Sequence, residues 1–118
     1  MEYKEILEKL SKTKFRSSFH LRKYMIKYID DKGLDTIERH TKDFIKTRLR
    51  DANPKNDGKQ TPMSGHPTFI AMHACACCCR SCLYKWHKIE KGKELTPKEE
   101  EFIKNLLMSW IKKEYKKD

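Results

Sequence analysis

Apolar positions recur at helical spacing along most of the chain, and only four Gly and four Pro interrupt them. This pattern predicts an all-α fold of about five helices. The first is expected near residues 2–12, with Ile6, Leu7 and Leu10 on one side. A second is expected from Ser17 or Ser18 as N-cap, carrying Leu21, Tyr24, Met25, Tyr28 and Ile29 inward and stopping at Gly33. The third is expected to start at Asp35, with Glu38 placed three residues on as in a capping box. It would bury Ile37, Thr41, Phe44, Ile45 and Leu49 and end before Asn53-Pro54. The last helix has the clearest start, with Thr96 as N-cap, Pro97 at the first helical position and Glu99 closing the box. Phe102, Ile103, Leu106, Leu107 and Trp110 form its apolar face, while acidic residues fill its first turn and lysines its last, as the helix dipole prefers.

Between Asp51 and Pro67 the period is lost. Three prolines, two glycines, Asn53-Pro54 and Asp57-Gly58 mark a long loop over 51–67, and loops of that length in a compact domain are usually functional or disordered. It leads through Gly65-His66-Pro67 into a fourth helix expected over 67–89, with Pro67 at its first position. The stretch from His73 to His87 holds all five cysteines, two of the five histidines and one of the two tryptophans. On a helical projection Thr68, Ala71, Met72, Cys75, Cys78, Cys79, Cys82, Trp86 and Ile89 share the face a core helix buries. The opposite face gathers His73, Cys77, Arg80, Tyr84 and His87.

At 118 residues the chain has room for one domain, 1–118, with one modest core. Its formal charge of +10, from 27 Lys and Arg against 17 Asp and Glu, suits nucleic acid, nucleotides or other phosphate-bearing partners, or else a lysine-rich solvated surface. No apolar run approaches the length of about 20 residues that crosses a membrane, and the first residues lack a signal peptide's apolar segment. A soluble cytoplasmic protein without a membrane partner is expected. Five cysteines within eight positions fit a secreted disulfide framework poorly, so reduced thiols or metal thiolates are the better default.

Three chemistries compete for the cysteine segment. Lys59, Gln60, His66, His73, Arg80 and His87 would form a ligand surface: Lys59 and Arg80 on phosphate oxygens, Gln60 orienting, the histidines donating. Aromatic and basic interleaving in Tyr84-Lys85 and Trp86-His87-Lys88 permits base stacking. Alternatively Cys79-Arg-Ser-Cys82, with His87 and with Cys75 or Cys78 nearby, offers ligands to zinc or iron. One straight helix cannot surround a tetrahedral ion, so His20 or His40 would complete the set from elsewhere, or the helix would break. A thiol- or histidine-dependent enzyme would need a thiolate lowered by Arg80 or Lys85, or His73, His66 or His87 beside a bound phosphate.

The segments Asn56-Asp-Gly-Lys-Gln-Thr-Pro-Met-Ser-Gly-His-Pro67 and His73-Ala-Cys-Ala-Cys-Cys-Cys-Arg-Ser-Cys-Leu-Tyr-Lys-Trp-His87 resemble the signature of a small, mainly bacterial family, domain-of-unknown-function family 4186. Phe15-Arg-Ser-Ser-Phe-His-Leu21 is similar to its N-terminal motif, so the likeness spans nearly the whole chain. The family pattern across His73–Leu83 reads His-Ala-Thr-Ala-Thr-Cys-Cys-Arg-Gly-Cys-Leu. This chain departs from it at Cys75, Cys77 and Ser81 and keeps His66, His73, Cys78, Cys79, Arg80, Cys82, Trp86 and His87. The resemblance implies no activity, and it places the site on the loop and helix between Lys59 and His87.

The chain is therefore expected to be a compact all-α bundle with a long Pro/Gly loop before a central Cys-rich helix. It would bind a phosphate-bearing ligand, nucleic acid or nucleotide, through residues 59–87. The alternatives are a small zinc or iron protein, or a His/Cys-dependent enzyme.

Overall fold

The capping box at Thr96 forms: its hydroxyl accepts from the Glu99 amide at 3.1 Å and the Glu99 carboxylate accepts from the Thr96 amide at 2.9 Å. It opens the longest helix of the chain. A computed structural model describes residues 3–116 and contains, among them, seven helices and no strand. They are α1 (Tyr3–Ser11), α2 (Lys14–Ser17), α3 (Lys23–Lys32), α4 (Leu34–Arg48), α5 (Pro67–Ala74), α6 (Arg80–His87) and α7 (Pro97–Tyr115). The all-helical expectation holds, and the count rises from five to seven. The expected helix start at residue 2 lies outside the described residues. With a radius of gyration of 13.3 Å, the chain closes on itself as one globule.

The centre is α5. All eight of its residues are buried, because α7, α2, α3 and α4 pack around it. A helix surrounded in this way has no polar face to set a period. Longer α7 also packs on α4 and α1, through Ile103, Leu106, Leu107, Met108 and Ile111. The Arg50 guanidinium forks onto the Glu100 carboxylate and ties the end of α4 to the start of α7.

Three boundaries differ from the sequence reading. Neither Ser17 nor Ser18 N-caps the next helix: their hydroxyls donate back to the Lys14 and Phe15 carbonyls, and Ser18 is instead the C-cap of α2. Thr13 caps instead, accepting from the Arg16 amide at 3.1 Å and making the one-turn α2, so α3 starts only at Lys23. Tyr24 is consequently exposed rather than inward. The capping box at Asp35–Glu38 does not form: Gly33, at φ +86°, ends α3 and begins α4 in a single residue. The L side chains rarely reach that backbone region, which is why glycine stands there. Of the expected α4 positions Ile37, Thr41, Ile45 and Leu49 are buried and Phe44 is half-buried.

The third difference is the largest. The expected helix over 67–89 is two helices, broken at residues 75–79. After Cys75 the chain enters the left-handed region at Ala76, φ +57°. The Cys77 amide returns to the Met72 carbonyl at 2.8 Å and the Ala76 amide to the His73 carbonyl at 3.4 Å. That pair of bonds is the Schellman ending of a helix. Alanine occupies the position where glycine normally announces such a stop, so composition concealed it.

Candidate metal and thiol site

The break at 75–79 sorts the cysteines. Cys75 and Cys77 enter the core, where burial pushes both thiols up and keeps them neutral. Chain reversal at Ala76 then delivers Cys78 and Cys79 to the start of α6. Cys79 is its N-cap and its sulfur accepts from the Cys82 amide at 3.3 Å. Position N3 holds Cys82, one turn on, so both sulfurs lie at the helix entrance with that of Cys78. The Sγ atoms of Cys78, Cys79 and Cys82 all lie within 4.8 Å of one another, and Cys78 Sγ donates to Cys82 Sγ at 3.6 Å. Cys78 and Cys82 are half-buried and Cys79 is buried.

Arg16 of α2 completes the group. Its Nη1 donates to the His73 carbonyl at 2.7 Å and lies 3.7 Å from Cys78 Sγ, and its Nη2 lies 3.3 Å from Cys82 Sγ. The helix entrance and the guanidinium put positive potential on the same sulfurs. Cys82 is the thiol held well below its ordinary range, first by the hydrogen bond with Cys78, then by Cys79 and Arg16, against the opposing effect of burial. Cys79 moves the other way, because its hydrogen bonds with Cys78 and Cys82 and its burial favour the neutral thiol.

The long loop braces this entrance from behind. Asp57 accepts from the Arg80 amide at 2.9 Å, the Ser81 amide at 3.1 Å, the Ser81 hydroxyl at 2.9 Å and Gln60 Nε2 at 2.8 Å. Burial pushes its carboxyl up, and those bonds outweigh it and hold the group below the usual carboxylate range. Thr61 donates to the Cys78 carbonyl at 2.8 Å.

The six residues expected to form a phosphate surface do not converge on one. Lys59 is exposed, while Gln60 is spent on Asp57 and the Gly58 amide. His66 N-caps α5, its Nδ1 accepting from the Thr68 amide at 2.9 Å, and its Nε2 meets His40 Nδ1 at 3.0 Å. His73 is buried against Phe19 and reaches the Thr61 and Pro62 carbonyls. Arg80, expected on an open face, is only 1% exposed. Its Nη1 donates to the Leu49, Arg50 and Asp51 carbonyls and its Nη2 to those of Glu90 and Lys93. Its donors thus grip the main chain at the end of α4 and in the 88–95 connection. The helical projection misplaced Arg80 because α6 starts afresh at residue 80, with its own phase.

For the metal set the structure brings Cys79 and Cys82 together, adds Cys78 and leaves out His87, whose Nε2 donates to the Cys75 carbonyl at 2.8 Å. His20 pairs with Glu114 and His40 with His66, so neither supplements the trio. The residue that sequence reasoning missed is Arg16. It stands 66 positions from Cys82 and is one of 27 cationic side chains. The only signal was its place inside Phe15-Arg-Ser-Ser-Phe-His, which matched the family's N-terminal motif without suggesting a role.

An all-helical globule with three thiols and a guanidinium at one helix entrance is the class that fold and site define. The model of the domain of unknown function DUF4186 matches residues 4–112, and the chain belongs to this family. No solved structure matches it.

Proposed function

We propose that this protein binds a thiophilic metal ion through Cys78, Cys79 and Cys82, with Arg16 compensating the charge of the thiolates. The carrying observation is the mutual approach of the three sulfurs within 4.8 Å. Zinc–sulfur bonds of about 2.3 Å in a tetrahedron place sulfurs about 3.8 Å apart, and the Cys78–Cys82 separation of 3.6 Å is already close to that. Three thiolates on a divalent ion leave one net negative charge. A guanidinium at 3.3 Å and 3.7 Å from two of the sulfurs is the outer partner such a charge needs. A fully thiolate set favours zinc or copper(I), with iron the remaining candidate. No fourth side chain joins the group among the described residues, which leaves one position for a water or an exchangeable ligand.

Metal content of untagged protein purified without chelator, followed by cobalt(II) titration of the apoprotein, tests this. The expected result is about one metal per chain, a sulfur-to-cobalt absorption band, and loss of both in Cys82→Ser. An apoprotein that gives no such band and gains no thermal stability from zinc, cobalt or copper(I) would overturn the proposal.

A second reading rests on the lowered Cys82 thiol at a helix entrance, which suits a reactive dithiol. Fast alkylation of Cys82 in metal-free protein at neutral pH, with Cys75 and Cys77 slow, is its signature. The phosphate-ligand reading loses its main contact, because Arg80 is buried and its Nη donors are occupied by main chain.

A further inference from the structure

The other end of α6 carries a separate feature. A cleft of about 290 Å³ opens where α1, the last turn of α6 and the first turns of α7 meet. Ile6 and Leu10 form its apolar floor, Trp86 and Phe102 present half-buried aromatic surface, and Lys9 and Lys88 stand at its rim with Glu5. Neither ammonium has an ion-pair partner among the described residues. His87 lies against Phe102, with ring centroids 5.7 Å apart. Because its Nε2 donates to the Cys75 carbonyl, the neutral ring keeps Nδ1 as an acceptor with no partner among the described residues.

Lys88 has a distinct backbone. It closes α6 in the left-handed region, at φ +60° and ψ +26°. Glycine is the ordinary occupant of that position, and the chain does use glycine at Gly33, Gly58, Gly65 and Gly92, where φ is also positive. Asn56 and Ala76 hold the same region at φ +57°, so the backbone alone assigns Lys88 no role; what Lys88 adds is an exposed cationic side chain on a residue that lines the cleft.

From these features we infer that the cleft binds a mononucleotide, with its base against Trp86 and Phe102 and its phosphate on Lys9 and Lys88. Three properties select this class. The aromatic surface takes a planar ring. The two unpaired ammonium groups take an anion. Glu5 and His87 Nδ1 are acceptors, and they complement the N–H and O–H groups that a base and a ribose carry and that a simple aromatic acid lacks. The site uses none of the residues of the metal proposal, although Trp86 stands one turn along α6 from Cys82.

Calorimetric titration of the full chain with adenosine and cytidine 5′-monophosphates tests this, with adenosine and inorganic phosphate titrated in parallel. At least one mononucleotide is expected to bind, and the nucleoside and phosphate each about tenfold or more weakly. Lys88→Gly is the discriminating variant. It removes the ammonium and relieves the backbone, so it should melt at the same or a higher temperature while losing about tenfold in mononucleotide affinity. Trp86→Leu should weaken binding with the fold intact. No detectable binding of either mononucleotide, phosphate alone binding as tightly, or a Lys88→Gly protein with unchanged affinity would overturn the inference. Repeating the titration on metal-free Cys82→Ser protein separates this outcome from that of the thiol site.

Discussion

Arg80 is a buried cation with no acidic partner, held by five main-chain carbonyls. Leu49 among these is the C-cap of α4, where helix carbonyls lack partners and the dipole is negative, and Arg50 and Asp51 follow it directly. The two Nη groups and the carbonyls therefore offset one another's desolvation, while Arg80 Nε stays buried without a hydrogen-bond partner among the described residues. Removing the side chain orphans acceptors in two segments at once. Arg80→Met should cost about 3 kcal/mol or more in urea denaturation, because hydrogen bonds to charged groups are each worth about 1.5–3 kcal/mol. A ligand-contact residue would instead lose binding and keep its stability. This role was not legible in the sequence, since an arginine on an apparently open helical face reads as a surface group. Arg16 was hidden for a different reason, because its sulfur partners are distant in the chain and only packing brings them near. By contrast, the role of Thr96 was legible, since its partners sit within one turn.

Among the elements, the junction of the 51–66 segment with α6 braces the helix entrance where the thiol trio sits. Asp57 satisfies two orphan amides at the α6 entrance with one carboxylate, and the same side chain fixes Gln60 of its own loop. Asp57→Ala should destabilise the protein by about 1–2 kcal/mol. It should also accelerate tryptic cleavage at Lys55 and Lys59, and weaken cobalt binding at the sulfurs. Unchanged proteolysis would mean that the loop is held by other contacts. Local signals identified most of the helices here: faces repeated at helical spacing gave α1, α4 and α7, and the Pro/Gly cluster gave the loop. They failed between α5 and α6, because α5 is buried all round and has no polar phase to interrupt, and because Ala76 rather than glycine makes the turn. The same break is what lets adjacent cysteines take opposite fates.

At the scale of the whole molecule, α3, α4 and α5 meet at His66, whose ring sits among Tyr28, His40, Phe44 and Phe69. Burial, and then His40, hold its pKa down to about 4. A histidine depressed in the fold binds a proton more readily when unfolded. Its stabilising contribution is thus complete above an ordinary pKa of about 6.5 and declines as pH falls toward 4. Protonation would also remove the acceptor that caps α5. The melting temperature should therefore fall between pH 7 and pH 4.5. His66→Asn, which retains a capping oxygen but does not titrate, should show a shallower fall. An equal slope in parent and variant would place the acid sensitivity elsewhere. Stability across the globule also depends on how Arg80 joins its distant parts. Its five acceptors are main-chain carbonyls, so the amino-acid identities at Leu49, Arg50, Asp51, Glu90 and Lys93 do not enter that grip. At Asp51, Glu90 and Lys93 the grip leaves the side chain free to change while the path is kept, whereas Leu49 is bound by its burial in the core and Arg50 by its fork onto Glu100.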